Sequence, residues 1–466
     1  MTNNSSATIS GICIDNGIEV SFRGQSYTIE YPVNIWQSVP TETKEFLKDN
    51  LAYASTMHLP MMDKSLEGLE YQTNRPYFEP FFFQNFIRDI PSCCDMDQQN
   101  ISEEMTRFLK TPYQFSSKSF QLPTSWENEH PSGRAIVPLS FGKDSLLSFA
   151  LAEELGLDPI PVFVHEPSFS QERMHKEILG AQFESEFGKK LNILEHDIGL
   201  LRDASHLGVS QNEYGWGLQS TEYALMMLPY AKYYGASYLF FGNEQSASSS
   251  YMNSDGWEVF PCYDQTHLWT VQISAMTQSC TQPNPVQTGS LIEPLMDMMI
   301  QRILIRRYPQ YAKLQMSCFA EGEAGKEYHW CHKCSICTKM YFLCVGANVS
   351  PESIGFKRSM LTMSELQYFP LLGGSSEFPY ARTQLARDEQ LFALYCADRF
   401  GSTEPLVELF AKSELRKEAE SRKLELFKRF ITIYHPSICV PKELLETLQS
   451  IFEEEIQYFI EELGEI

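Results

Sequence analysis

The stretch that decides the fold is LSFGKDS at residues 139–145, a short polar turn between two apolar segments. The apolar run at 135–137 precedes it, and residues 146–155 follow it with helical periodicity. A strand, a tight turn and a helix in this order point backbone N–H groups and the positive helix end at one spot. Such a nest favours a phosphate group, so the sequence predicts an anion site here.

The side chains of the turn fit the same ligand. Ser140 and Ser145 offer hydroxyl donors, Lys143 offers a positive charge, and Asp144 could hold a magnesium ion. The turn is not a Walker A loop, because Val137 and Asp144 stand where that motif has Gly and Ser or Thr. The plain alternative is a strand-to-helix turn whose Ser and Asp are simply favoured at helix starts.

The surrounding sequence predicts an α/β domain with a parallel sheet. Continuous apolar strands at 135–139, 160–164, 191–195 and 237–241 alternate with helical patterns at 144–155, 171–188 and 219–235. Ligands of such sheets bind beyond the carboxyl ends of the strands. The turn at 139–145, His165-Glu166 and the segment 242–244 are all expected there.

Three domains are predicted from changes along the 466 residues. An N-terminal α+β domain covers 1–130 and ends in a Pro- and Gly-containing linker at 121–134; its aromatic segment at 68–92 is either core or a partner surface. The catalytic domain covers 131–350. Residues 351–466 are mostly helical, with one apolar face between 444 and 460 and glutamates off that face that we expect to be solvated.

The composition narrows the function classes. A net charge of −23 argues against a nucleic-acid-binding protein, because such binding requires a basic surface. No apolar stretch reaches the length of a membrane span, and the start of the chain lacks the pattern of a signal peptide. We therefore expect a cytoplasmic protein with no membrane attachment. Its twelve cysteines are mostly scattered, which favours reduced thiols over disulfides.

Three of those cysteines form a tight group that predicts a structural zinc site. Cys331, Cys334 and Cys337 have the spacing C-x-x-C-x-x-C on a polar loop, and a tetrahedral site needs one more ligand. Cys318 is the chosen fourth ligand. Cys344 lies in an apolar run where a buried thiol is the simpler interpretation, and His329 and His332 are weaker candidates.

The turn at 139–145 resembles the SGGxDS signature of the PP-loop ATP pyrophosphatases, which cleave ATP between the α and β phosphates. Phe141 departs from that signature, because the family has Gly there. A side chain at this position is strained at positive φ and is expected to crowd the backbone approach of a ligand.

The turn and the cysteine group together resemble the 7-cyano-7-deazaguanine synthase, or QueC-like, family over residues 134–349. The segments 222–227, 242–244 and 292–296 resemble further family segments in the same order. The resemblance implies an adenine nucleotide alpha hydrolase-like fold, doubly wound, that uses ATP, Mg²⁺ and Zn²⁺. The implied activity is that of an ATP-dependent C–N ligase, which adenylates a 7-deazaguanine carboxylate, releases pyrophosphate and passes the acyl group to an amine.

The resemblance also assigns roles to residues. ATP would be held by Ser140, Phe141, Gly142, Lys143, Asp144 and Ser145 at its phosphates and by Val164 and His165 at its adenine. Lys143, Asp144 and Glu244 would act in catalysis, Asp144 and Glu244 as magnesium ligands. The base that deprotonates the amine stays open between Glu244 and His165.

The size of the chain points to a macromolecular partner. It adds about 130 residues before and 115 after the region of resemblance. Larger QueC-like proteins belong to anti-phage operons of the Qat and CBASS types, which implies that the amine belongs to a protein encoded in the same operon. The alternatives are a free-standing 7-cyano-7-deazaguanine synthase of queuosine biosynthesis, an RNA-thiolating PP-loop enzyme, an amidotransferase-like synthetase of another acid, and a non-catalytic nucleotide or deazaguanine sensor.

Overall fold

The structure is a computed structural model that describes residues 6–124, 132–168, 170–318, 320, 322–375, 383–432 and 437–464. Its strands are β1 Ser6–Ile14, β2 Gly17–Phe22, β3 Gln25–Glu30, β4 Gly68–Asn74, β5 Tyr113–Ser117, β6 Ser132–Pro138, β7 Asp158–His165, β8 Asn192–His196, β9 Ala236–Phe240, β10 Tyr251–Met252, β11 Glu258–Val259 and β12 Gln287–Gly289.

The α-helices before the cysteine group are α1 Val33–Gln37, α2 Thr41–Ala54, α3 Leu59–Met62, α4 Glu79–Asp97, α5 Ile101–Lys110, α6 Lys143–Glu154, α7 Ser170–Phe187, α8 Ala204–Leu207, α9 Gln219–Met226, α10 Leu228–Tyr234, α11 His267–Cys280, α12 Asp297–Arg307, α13 Pro309–Ala312 and α14 Gly322–Gly325. The α-helices from residue 335 onward are α15 Ser335–Gly346, α16 Gln384–Arg399, α17 Pro405–Ala411, α18 Glu414–Phe430 and α19 Lys442–Leu463.

Within the described residues, ten strands form one large sheet in the order β12-β9-β6-β7-β8-β3-β2-β1-β4-β5. The strands from β12 to β8 are mutually parallel. Beyond β8 the pairs β8–β3, β3–β2 and β2–β1 are antiparallel, and β1–β4 and β4–β5 are again parallel. The α/β class with a large, mostly parallel sheet is confirmed.

Helices cover both faces of the parallel strands. In β6, Ala135 and Val137 pack into one core with residues of α6 and α12, whereas Ile136 packs into the other core with residues of α10 and α11. This alternation follows from the two-residue period of a strand. It explains why each central strand reads as a continuous apolar run.

The strand order creates a crevice at one position. From β6 the chain proceeds through β7 and β8 on one side, and β9 and β12 lie on the other side. The loops that follow β6 and β9 therefore diverge, which is where open α/β sheets bind ligands. These loops carry residues 139–142 and 241–244.

The N-terminal region joins the same sheet. Strand β3 pairs with β8 through Ile29 opposite His196 and Glu30 opposite Glu195. The sheet thus continues across the predicted boundary near residue 130, and the domain limits themselves remain predictions. Residues 125–131 of the predicted linker lie outside the described residues, and residues 132–134 belong to β6.

The C-terminal helices dock on the parallel part of the fold. The apolar face of α19 is buried as predicted, and it packs with α12 and α15 in one core. The prediction of a wholly solvated acidic face is wrong in part, because Glu462 pairs with the buried Arg302 at 3.0 Å and Glu454 pairs with Arg307 at 2.7 Å. Among the described helices, none has the length and apolar character required to span a bilayer.

Candidate active site

The loop after β6 ends in an open helix start. Gly142 is the N-cap of α6 with extended backbone angles, and no described side chain caps this end of the helix. The first N–H groups of α6 are thus left for a ligand. The Ser140 and Ser145 hydroxyls lie 3.3 Å apart beside it. Gly242 allows the loop after β9 to approach, because a Cβ there would lie 2.8 Å from the Asp144 Cβ.

Phe141 takes the conformation that a glycine would take. Its φ is +59°, in the left-handed region that costs a non-glycine residue about 1–2 kcal/mol. Its side chain is fully buried and packs nearly perpendicular to Phe183, with ring centroids 6.0 Å apart. The expected crowding is therefore absent, since the ring is buried in the core and is not among the described residues that line the cavity.

The strained loop is held from outside by two contacts. The Met316 N–H donates to the Phe141 carbonyl at 2.7 Å. The Lys176 ammonium donates to the Ser140 carbonyl and, at 2.6 Å, to the Met316 carbonyl. Burial lowers the pKa of Lys176 to about 8. Lys176 was not predicted from the sequence, because a single lysine in a helix gives no signal of which group it will contact.

The backbone of Phe141 predicts an unusual order of stability for two variants. Phe141→Ala loses a buried ring, at a cost of about 3–5 kcal/mol, and keeps the strain. Phe141→Gly loses the same packing but adopts positive φ freely, so we expect it to be about 1 kcal/mol more stable than the alanine variant. Thermal unfolding compares the two. If the alanine variant were the more stable of the two, the result would contradict the backbone strain at residue 141.

Lys143 and Asp144 belong to a buried cluster of charges. The Lys143 ammonium pairs with Asp144 and lies 2.5 Å from the Asp297 carboxylate, which pairs in turn with Lys339. Burial alone would lower the pKa of Lys143, but the carboxylates of Asp144 and Asp297 raise it above its usual range. Lys143 is thus a permanent cation beside the open start of α6.

Two glutamates complete the cluster. Glu244 accepts hydrogen bonds from the N–H and the hydroxyl of Ser246, and burial and the Asp297 carboxylate raise its pKa to about 8. Burial raises the pKa of Glu389 to about 7, against the lowering effect of Lys339. Asp144 and Glu244 offer the carboxylate oxygens that Mg²⁺ prefers, so the residues present fit that ion. Asp297, Lys339 and Glu389 were not predicted from the sequence, because they lie far from the loop along the chain.

A cavity of about 530 Å³ opens at the crevice between the two loops. Ser140, Asp144 and Ser145 line it at the loop end, and a volume of this size holds a small-molecule ligand. Of the two predicted adenine contacts, Val164 lines the cavity. His165 is not among the described lining residues, and its Nδ1 lies 2.5 Å from the Glu195 carboxylate.

The far end of the cavity is a polar and aromatic wall formed by residues 216–223. Trp216, Gln219 and Tyr223 line it together with Glu166. Glu166 accepts hydrogen bonds from the Tyr223 hydroxyl and, at 3.2 Å, from the Gln219 amide. Burial would raise the pKa of Glu166, but the Arg202 guanidinium at 2.8 Å holds it below its usual range. Glu166 is therefore ionised, and the Arg202 guanidinium balances its charge.

Helix α4 of the N-terminal region holds this wall from behind. The Asn85 amide donates to the Gly217 carbonyl at 3.0 Å, and the Asp97 carboxylate accepts from the Glu213 N–H at 3.1 Å. Asp89 lies so close to Gly217 that a Cβ there would meet its carboxylate at 2.0 Å. The N-terminal region thus shapes the cavity, a contribution that the sequence did not reveal.

The four predicted cysteines come together. One sulfur from each of Cys318, Cys331, Cys334 and Cys337 lies within 4.8 Å of all the others. The Cys318–Cys334 and Cys331–Cys337 sulfur distances are 3.8 and 3.6 Å. A tetrahedral ion with Zn–S bonds of about 2.3 Å requires sulfurs about 3.8 Å apart, so the residues fit zinc. Cys344 is buried elsewhere in α15, outside this cluster.

Comparisons with known proteins do not identify the chain. No family model matches it, and a search of curated proteins finds no match.

Proposed function

We propose that this protein is an ATP-dependent C–N ligase that adenylates a 7-deazaguanine carboxylate. The observation that carries the proposal is one continuous cavity with two chemically different ends. The loop end offers the helix N–H groups of α6 and the Ser140 and Ser145 hydroxyls, which suit phosphates, and the Lys143 ammonium is buried next to them against Asp144 and Asp297. The far end offers Trp216, Gln219 and Glu166, which suit a planar ring with hydrogen-bond donors.

The chemistry follows from positions and charges. A carboxylate oxygen of the acid attacks the α-phosphorus of ATP, pyrophosphate leaves, and an amine then displaces AMP from the acyl-adenylate. The attacking carboxylate is already ionised, so the protein mainly orients the reactants and balances charge. Lys143 and the start of α6 would stabilise the leaving pyrophosphate, and Asp144 with Glu244 would hold Mg²⁺.

The acid and the amine are assigned by the resemblance to QueC-like proteins. It suggests 7-carboxy-7-deazaguanine as the acid and a protein partner from an anti-phage operon as the amine. Free ammonia, leading to a nitrile, is the alternative. The net charge of −23 opposes the RNA-thiolating reading, and retention of Lys143, Asp144 and Ser145 opposes a decayed sensor.

The direct test is incubation of the purified protein with Mg-ATP and 7-carboxy-7-deazaguanine, with and without ammonia. We expect pyrophosphate and AMP to appear only when the deazaguanine is present, and product masses to reveal the amine. Release of pyrophosphate with another acid alone would reassign the substrate. No pyrophosphate in any mixture, with ATP still bound, would favour the nucleotide sensor and overturn the ligase.

A further inference from the structure

One carboxylate beside the nucleotide loop bridges two lysines. Asp297 is the first residue of α12 and its side chain is 3% exposed. One of its oxygens lies 2.5 Å from the Lys143 ammonium and the other lies 2.5 Å from the Lys339 ammonium. The two ammonium groups are therefore separated by the width of a single carboxylate.

The two lysines differ in the solvent exposure of their side chains. The side chain of Lys143 is 6% exposed, whereas that of Lys339 is 38% exposed and reaches the cluster from α15, two residues after Cys337. Burying an ion pair requires one carboxylate for one ammonium. Lys143 already pairs with both Asp144 and Asp297, so Lys339 is not needed to neutralise the Lys143 ammonium.

The donor groups of the cluster suit an anion as its ligand. The carboxylates of Asp144 and Asp297 balance the ammonium groups of Lys143 and Lys339, so this cluster of four residues has no net charge. Two ammonium groups stand beside the uncapped start of α6. Phosphate oxygens form strong charge-assisted hydrogen bonds with such groups.

We propose that Lys339 is a second phosphate-binding cation of this site, held beside Lys143 by Asp297, and that it binds the pyrophosphate portion of ATP. The inference rests on the proposed function and adds a residue to it. Asp297 acts as a positioning residue, because it sets the spacing of the two ammonium groups. Each ammonium group has three N–H donors, so each lysine can keep its hydrogen bond to Asp297 and donate another one to a phosphate oxygen.

The test is calorimetric titration of the full-length protein with inorganic pyrophosphate and Mg²⁺. We expect Lys339→Met to weaken pyrophosphate binding by about 10- to 100-fold, the value of one charged hydrogen bond. Lys339→Arg should restore most of the affinity. The matched control is Lys412→Met, which removes a lysine that is 76% exposed at the C-cap of α17 and should leave binding unchanged.

Titration with AMP separates a ligand contact from a structural effect. AMP lacks the phosphates that Lys339 would bind, so its affinity should be the same in the wild type and in Lys339→Met. Metal content must also be unchanged, since Lys339 lies two residues after Cys337. Equal loss of AMP and pyrophosphate affinity, or no loss of either, would overturn the role of Lys339. A wild type that binds neither ligand would overturn the proposed function as well.

Discussion

Replacement of Cys334 by serine is expected to remove the metal ion and to weaken the proposed binding of ATP. Cys334 is the N-cap of α15, and its sulfur accepts a hydrogen bond from the Cys337 N–H at 3.4 Å. Serine caps helices well but is not a zinc ligand, so the substitution removes the metal ligand and keeps the helix cap. We expect metal content to fall from one ion per chain to near zero, with a lower thermal midpoint.

The effect should reach the nucleotide through the chain next to the cluster. Met316, two residues before Cys318, donates to the Phe141 carbonyl and accepts from Lys176. Without the metal, the strained loop loses that support. We expect ATP affinity to fall at least 10-fold, the scale on which supporting contacts around metal sites act. Calorimetry and metal analysis of the same samples give both values.

Cys344→Ala is the matched control, because Cys344 lies in the same helix but outside the cluster. It should keep one metal ion per chain and wild-type ATP affinity. A Cys334→Ser protein that still holds a full equivalent of metal would show that Cys334 is not a ligand. Metal loss with unchanged ATP affinity would show that the cluster does not support the loop.

Asp144→Asn is expected to lower the rate of pyrophosphate release by about 10²- to 10³-fold. Loss of one well-placed charged group at a reacting phosphate has this scale. Asparagine keeps the size of the side chain at the start of α6 but loses the charge that would hold Mg²⁺. Lys143 retains its partner Asp297, so the fold of the cluster should survive.

The measurement is initial-rate release of pyrophosphate at several Mg²⁺ concentrations. We expect the variant to require more Mg²⁺ for half-maximal rate. Asp158→Asn makes the same chemical change at an exposed position at the start of β7 and should match the wild type. An Asp144→Asn enzyme with the wild-type rate and Mg²⁺ dependence would remove Asp144 from the catalytic machinery.

Local patterns explain what the sequence could predict. Three features each depend on a short stretch of sequence: the central strands, the loop at 139–142 and the cysteine group. Each of them is found in the structure. Asp297, Lys339 and Lys176 gave no signal, because their importance comes from packing between distant segments. The local sequence around a charged residue in a helix does not show whether that residue forms a surface ion pair or contacts the candidate active site.

Phe141 shows the limit of reasoning from one position. The sequence correctly marks it as a departure from glycine, but the expected crowding assumes that the ring faces the ligand. The structure buries the ring against Phe183, because core packing offsets the cost of the strained backbone. The outcome depends on α7, which no local pattern near residue 141 describes.

The pairing of β3 with β8 has a consequence for the edge of the parallel strands. Without the N-terminal residues, β8 would be an open edge strand with unpaired N–H and C=O groups. Edge strands of this kind pair with other chains and promote aggregation. The N-terminal region therefore protects the parallel sheet from self-association, so the parallel strands depend on it for more than the shape of the cavity.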